Sequence, residues 1–236
     1  MTKELHAYLY SVSIGSNGVT FAVGQSNVSV STSTTINPIA IYLSAYSGAG
    51  LGEFPFWEKI PNLPSAVSAQ LWGVDTRDGV RAVAVGTGGM ILYTNNSGLH
   101  WYEPRVKGAA LCPGSTLYGV SLAADGSSVV AAAGSAACVL ISNDFGRSWA
   151  RVSSPLFEAT TNFRFKSVDA VRWDIIYLTG SKGRILRTLN GGVSWEVDYS
   201  KPSAFYSITM HDFVSFQFEF LFSFPIALFL KSVYFY

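Results

Sequence analysis

The amino-acid sequence predicts an all-β protein built from repeated four-stranded antiparallel units. Three observations predict this fold class: a recurring octapeptide, an apolar strand pattern that repeats with it, and the lack of helical periodicity. The three clear copies of the octapeptide are residues 94–101, 142–149 and 188–195. Their final tryptophans, Trp101, Trp149 and Trp195, are 48 and 46 residues apart. A period of this length is typical of repeat proteins in which each unit is one small sheet.

Each unit opens with a short apolar strand, at residues 9–12, 71–74, 117–120, 165–168 and 205–208. Asn-Gly or Asp-Gly follows in the first three units, and these dipeptides favour two-residue hairpin turns with positive φ. The fourth unit has Trp173-Asp174 at that place. Next comes an apolar run that ends in glycine, and a further apolar run leads into the octapeptide. This order predicts four short strands in each unit.

The middle strands are apolar on both faces, so both faces of each sheet must be covered by protein. Four-stranded units of about 40–50 residues, covered by their neighbours, are the blades of a β-propeller. The sequence therefore predicts a β-propeller over residues 1–212, a partial ring of about four blades and the start of a fifth. The predicted blades are about 9–60, 71–106, 117–153, 165–198 and a start at 205–212.

Residues 213–236 break the pattern and form an atypical tail that holds eight of the 16 phenylalanines. Aromatic residues alternate along part of it, so one further strand is an alternative to an artefact of the gene model. A membrane anchor is a third alternative. The longest uncharged run, 220–230, has 11 residues and contains Pro225. This is short of the roughly 20 residues that span a bilayer.

The octapeptides follow the pattern Ser/Thr-x-Asp/Asn-x-Gly-x-x-Trp. This pattern resembles the Asp-box, or bacterial neuraminidase repeat, which joins the third and fourth strands of a propeller blade. Asp or Asn can accept bonds from nearby backbone amides, and Gly supplies a left-handed conformation. The predicted structural residues are Thr94, Asn96, Gly98, Trp101, Ser142, Asp144, Gly146, Trp149, Thr188, Asn190, Gly192 and Trp195. Because two copies carry Asn, Asp144 is predicted to be a turn residue and not a catalytic acid.

The order of strands in each unit predicts that the octapeptides and the strand 1–2 turns emerge on one face of the ring. The strand 2–3 turns and the segments between blades then emerge on the other face. A binding site on this second face would use Lys182 and Arg184, which belong to the fourth unit. Aromatic residues near these cations would supply most of the affinity for a protein partner.

The unit 180–195 is similar to the photosystem II stability/assembly factor-like family, through Gly-x-x-Gly-x-Ile followed by an octapeptide. The resemblance extends over residues 9 to about 210. It implies a non-enzymatic scaffold that binds a protein partner, such as a photosystem reaction-centre precursor. No targeting segment is visible at Met1, so the location is open, and a plastid is implied if a transit peptide precedes it.

Two alternatives share the octapeptide. A sialidase-like glycoside hydrolase needs paired carboxylates and an arginine triad, whereas the sparse acids here form no cluster in the sequence. Its Phe-Arg-Ile-Pro motif has only Phe163-Arg164-Phe165 as a counterpart. A secreted or receptor-type propeller is the other alternative, because Asn27 and Asn95 lie in glycosylation sequons.

Composition indicates no other class of partner. The formal net charge is +1, which gives no general attraction to nucleic acid, and membrane association is expected only through a partner or the tail. The three histidines are scattered, so neither a metal site nor a cofactor is predicted. Cys112 and Cys138 have no metal-binding spacing. A buried inert thiol is expected for Cys138, with a disulfide between the two as the alternative.

Overall fold

The structure is a computed structural model that describes residues 7–26, 39–45, 57–61, 63–64, 70–106, 108–127, 130–158 and 164–200. These residues form four antiparallel sheets, here called blades 1 to 4, in chain order. Consecutive strands pair within each blade. The predicted all-β architecture of antiparallel blades is therefore confirmed. The fifth opening at 205–208 and the tail at 213–236 lie outside the described residues.

The strands of the first two blades are β1 (Ala7–Ile14), β2 (Val19–Ser26), β3 (Ile39–Ala45) and β4 (Glu58–Lys59), then β5 (Leu71–Thr76), β6 (Ala82–Gly86) and β7 (Ile91–Thr94). Blade 3 holds β8 (Leu117–Leu122), β9 (Val130–Gly134), β10 (Val139–Ser142) and β11 (Ala150–Arg151). Blade 4 holds β12 (Phe165–Ala170), β13 (Ile176–Gly180), β14 (Arg184–Thr188) and β15 (Glu196–Ser200). In blade 2 an isolated bridge between Tyr93 and Tyr102 takes the place of a fourth strand.

Helical structure in the described residues is confined to short connections. Helix α1 (Gly108–Leu111) lies between blades 2 and 3, and helix α2 (Pro155–Glu158) lies between blades 3 and 4. Single 3-10 turns at Thr87–Gly89 and Ser181–Gly183 join the second and third strands of blades 2 and 4.

The first strand of every blade lies innermost, because β1, β5, β8 and β12 contact one another from blade to blade. Each of these strands has a β-bulge at the second residue of its predicted opening. The bulged residues are Tyr10, Trp72, Tyr118 and Lys166. A bulge adds one unpaired residue and redirects its side chain. The four bulges therefore present four side chains at equivalent positions around the centre.

The glycine at or near the end of each second strand is explained by the bulged strand beside it. A Cβ added at Gly86 would overlap the carbonyl oxygen of Gln70, and one at Gly180 would overlap that of Arg164. Both glycines have extended φ angles, of −166° and −179°. The requirement for glycine is thus the close approach of two backbones and not an unusual backbone angle.

Apolar clusters between neighbouring blades form the core. Phe21 and Ile41 of blade 1 pack with Leu71 and Val74 of blade 2, and the four side chains are at most 5% exposed. Similar clusters join blade 2 to blade 3 and blade 3 to blade 4. Burial on both faces agrees with the apolar middle strands of the sequence.

Cys138 is not the inert thiol that the sequence analysis favoured, because it forms a disulfide with Cys112. Helix α1 brings the Cα of Cys112 to 6.0 Å from that of Cys138, which ends the strand 2–3 turn of blade 3. This separation lies in the range that a disulfide requires. The disulfide therefore links the connection between blades 2 and 3 to the start of β10.

Candidate functional site

The three octapeptides form the same hydrogen-bonded turn. In blade 3, the Ser142 hydroxyl donates to the Asp144 carboxylate at 2.9 Å and accepts the Gly146 backbone N–H at 2.8 Å. The Ser148 backbone N–H donates to the same carboxylate at 2.8 Å. The side chains of Asn96 and Asn190 make the equivalent bonds in blades 2 and 4. The amide oxygen of Asn thus replaces the carboxylate oxygen of Asp144.

Hydrogen bonds within the turn favour the ionised form of the Asp144 carboxyl. Partial burial raises its pKa, but the hydrogen bonds from Ser148 and Ser142 outweigh burial and leave the pKa below the usual value. A carboxyl with a lowered pKa is a poor proton donor near neutral pH. The geometry around Asp144 is that of a turn, as the pattern predicted.

The glycine and tryptophan of each octapeptide pack on the preceding blade. A Cβ at Gly146 would meet Val83 of blade 2, and one at Gly192 would meet Ile141 of blade 3. Trp149 lies in the cluster between blades 2 and 3, and Trp195 in the cluster between blades 3 and 4. The octapeptides therefore hold neighbouring blades together as well as turning the chain.

The structure brings together two carboxylates that the sequence analysis did not place in any cluster. Asp75 accepts hydrogen bonds from the Leu122 backbone N–H at 2.8 Å and from the Ser13 hydroxyl at 3.0 Å. The Arg77 guanidinium lies 3.7 Å from Asp75 and 3.9 Å from Asp169. Burial raises the pKa of Asp75, and the positive charge of Arg77 opposes this effect. This network connects all four blades at their first strands.

Backbone hydrogen bonds show which loops lie at each end of the blades. The Ser97 N–H donates to the Val80 carbonyl, which joins an octapeptide to a strand 1–2 turn. At the opposite end, the Thr87 N–H donates to Gln70, and the Ser181 N–H donates to Arg164. These bonds join the strand 2–3 turns to the segments between blades. The predicted separation of the two sets of loops is confirmed.

Charge differs between the two ends. The octapeptides and strand 1–2 turns carry charges of both signs, four aspartates (Asp78, Asp125, Asp144 and Asp174) and four arginines (Arg77, Arg81, Arg147 and Arg172). At the other end, here called the inner-turn face, residues 70–72, 87–89, 116–118, 135–137, 164–166 and 181–184 contain cations but neither Asp nor Glu. The cations of these segments are Arg164, Lys166, Lys182 and Arg184. In the part of the chain that the structure describes, none of the four forms an ion pair.

Lys182 and Arg184 lie where the sequence analysis expected them, at the strand 2–3 turn of blade 4. Lys182 is exposed and has a φ of 66°, whereas Arg184 is partly buried at the start of β14. The sequence analysis did not identify Arg164 or Lys166 as members of this face. The signal was present, because both lie in the segment that leads into the fourth repeat.

Beside these cations runs a row of aromatic rings, here called the ring row. The Tyr10 and Trp72 rings stack with their centroids 4.4 Å apart, and the Trp72 and Tyr118 rings meet edge to face at 5.9 Å. The Lys166 ammonium lies 3.9 Å from the centroid of the Tyr118 ring. The three rings and Lys166 are the side chains of the four bulged residues. The sequence analysis expected aromatic anchors on this face but did not name these rings.

No group of three or more His, Cys, Asp or Glu side chains suited to a metal ion occurs among the described residues. Across the same described ranges, no helix has the length and apolarity to span a bilayer.

The sequence matches no family model and no curated protein. Among solved structures, the chain is similar to the WD40 repeats of RRP9, with a TM-score of 0.59, 9% identity, and coverage of 86% of this chain and 54% of that one. An ancestral GH74 enzyme matches with a TM-score of 0.52, 15% identity, and coverage of 81% and 24%. WD40 repeats form propeller blades, so the predicted β-propeller fold is confirmed.

A third match is the structure described as YCF48 bound to D1 peptide. Its TM-score is 0.46 at 13% identity, with coverage of 87% of this chain and 88% of that chain. At identities of 9% and 15%, the likenesses to RRP9 and to the GH74 enzyme show the fold alone.

Proposed function

We propose that this protein is a non-enzymatic scaffold that binds a polypeptide partner on the inner-turn face. The observation that carries the proposal is the charge on that face, where Lys182, Arg184, Arg164 and Lys166 lie in two hydrogen-bonded segments, 164–166 and 181–184, that contain neither Asp nor Glu. Unpaired cations at an open face attract and orient a partner of opposite charge. The ring row beside them supplies the aromatic surface that dominates binding energy in protein interfaces.

The geometry of the octapeptides supports the non-enzymatic part of the proposal. Asp144 shares its hydrogen-bond pattern with two asparagines, and Asp75 accepts bonds from a backbone amide and a hydroxyl. Each carboxylate therefore has a structural role. Photosystem assembly is the pathway that we propose for the partner, and it rests on the repeat resemblance over 180–195.

The test is a pull-down from an extract of the source organism, with Lys182→Glu combined with Arg184→Glu. We expect this variant to lose most of the captured partner at low salt, and the wild type to lose it as salt is raised. The matched control is Arg147→Glu combined with Arg151→Glu, which makes the same charge change at exposed residues in the octapeptide and outer strand of blade 3, outside the segments that form this face. Equal capture by both double variants would exclude the proposed site. Turnover of a sialoside or glucan that Asp144→Asn abolishes would overturn the non-enzymatic assignment.

A further inference from the structure

We propose that the ring row binds an extended peptide segment with a prolyl or aromatic ring against Tyr10 and a carboxylate at Lys166, about four residues apart. The inference rests on the proposed function and specifies the chemistry of the bound segment. Three features support the inference: the exposed ring of Tyr10, the positive charge of Lys166, and the distance between these two residues.

The open ring surface is at the Tyr10 end of the row. Trp72 stacks on Tyr10 and meets Tyr118 edge to face, and the Lys166 ammonium covers Tyr118. Among the described residues Tyr10 ends the row, and it remains 41% exposed although one of its faces is stacked. One ring of the partner can therefore stack there, with an aromatic or prolyl side chain as the natural occupant.

The row is held in place before any partner binds. The Trp72 indole N–H donates to the Thr87 hydroxyl at 3.2 Å, which fixes the plane of the ring. The Gln70 side-chain amide donates to Gln25 at 2.6 Å, and this bond joins blade 2 to blade 1 beside the rings. Because the rings are already ordered, little conformational entropy is lost when a peptide covers them.

The charge at the other end favours an anionic group. Partial burial lowers the pKa of Lys166, and the neighbouring Arg164 lowers it further. A carboxylate placed beside the ammonium would offset both effects. With Arg164 and Lys182 near the same end, a side-chain carboxylate or a C-terminal carboxylate satisfies this chemistry.

The length of the row limits the spacing between the two groups. Its three steps, from Tyr10 to Trp72, Tyr118 and Lys166, measure 4.4, 5.9 and 3.9 Å. Together they span at most about 14 Å, which an extended peptide covers with about four residues. A single-stranded nucleic acid fits less well, because binding of successive bases requires several open ring faces, whereas Tyr10 and Trp72 stack on each other and Lys166 covers Tyr118.

The experiment is a titration of the protein labelled with 5-fluorotryptophan, followed by ¹⁹F NMR, with the Trp72 signal identified from Trp72→Phe. The probe is a Gly/Ser peptide with Pro and Glu four residues apart. Comparison peptides replace Pro by Gly, replace Glu by Gln, double the spacing, or end in a free carboxylate in place of Glu. We expect the probe to shift the Trp72 signal and to bind at least about 5-fold more tightly than the first three. The fourth comparison distinguishes a side-chain from a C-terminal carboxylate.

Two protein variants test the residues. Tyr10→Ser should reduce affinity for the probe to that of the Gly peptide, whereas Tyr102→Ser, a matched control at 42% exposure on the outer edge of blade 2, should not. Lys166→Gln should remove the preference for Glu over Gln, and Lys166→Arg should keep it.

Equal binding of the probe and its Gly or Gln forms would overturn the inference, as would an unmoved Trp72 signal. A short single-stranded RNA that moves the Trp72 signal at lower concentration than the probe would also overturn it. The proposed function is measured separately by the pull-down with Lys182 and Arg184. A salt-sensitive pull-down with no ring-dependent peptide binding would refute this inference and leave the proposed function standing.

Discussion

The indole N–H of Trp149 donates a hydrogen bond of 2.9 Å to the carbonyl oxygen of Gly146, three residues earlier in the chain. The indole N–H groups of Trp101 and Trp195 are buried and have no partner within the described residues. Trp149 therefore both fills the space between blades 2 and 3 and closes its own turn. The three repeats share a shape, but only one of these three tryptophans makes this bond.

Replacement of Trp149 by alanine should lower the free energy of unfolding by about 3–5 kcal/mol, because it leaves a large cavity between two blades. Trp149→Phe keeps most of the ring and loses the bond to Gly146, so its cost should exceed that of Trp195→Phe by about 1 kcal/mol. Urea denaturation of the three variants measures these differences. Equal losses for the two Phe variants would contradict a contribution from the hydrogen bond.

Replacement of Asp144 by asparagine should lower the melting temperature at pH 7 slightly, and much less than Trp149→Ala does, because Asn190 already makes the equivalent bonds in blade 4. The pKa of Asp144 is lowered in the folded protein, so its ionised form adds stability above the unfolded value of 3.8. That contribution is lost as pH falls through the folded pKa. Calorimetry at pH 7, 5 and 3 should therefore show the advantage of the wild type over Asp144→Asn shrinking toward pH 3. An advantage that stays constant, or a loss at pH 7 as large as that of Trp149→Ala, would contradict the turn role.

Replacement of Gly86 by alanine should destabilise the protein by about 3 kcal/mol, because the new Cβ overlaps the backbone of Gln70 at the bulge. Gly88 is the matched control two residues away. It has a φ of 68° and no atom within 4 Å of an added Cβ. Asparagine tolerates that conformation, so Gly88→Asn should cost less than about 1 kcal/mol. Thermal unfolding checks both, and similar losses would show that backbone proximity is not the requirement at Gly86.

Loss of the disulfide should destabilise the protein by about 3 kcal/mol, the amount expected for a closed loop of roughly this size. Its two cysteines are 26 residues apart in the chain. The measurement is urea denaturation of the paired variant Cys112→Ser with Cys138→Ser beside the wild type. A thiol assay under denaturing, non-reducing conditions should find no free thiol in the wild type. Two free thiols would restore the inert-cysteine prediction.

Local sequence signals predicted the blades because each signal acts over a few residues. Asp78-Gly79 has a side chain that accepts amide bonds and a residue at positive φ, so it marks the hairpin without reference to the rest of the fold. The Ser142–Trp149 octapeptide forms its bonds within itself in the same way. The order of strands then determined which loops share an end of the blade.

Signals within the sequence were thus enough to predict the repeat, its strands, its turns and the end of blade 4 that carries Lys182 and Arg184. Contacts between distant residues depend instead on how the blades pack. Tyr10 stacks on Trp72, and Arg77 lies within 4.0 Å of both Asp75 and Asp169. These contacts form because first strands from different repeats lie side by side. The β-bulges bring the side chains of the ring row together. No local sequence pattern predicts these bulges, because the bulged residue is aromatic in three repeats and lysine in the fourth. Each repeat contains the residues that form its own turns, whereas the contacts between repeats depend on the tertiary arrangement of the blades.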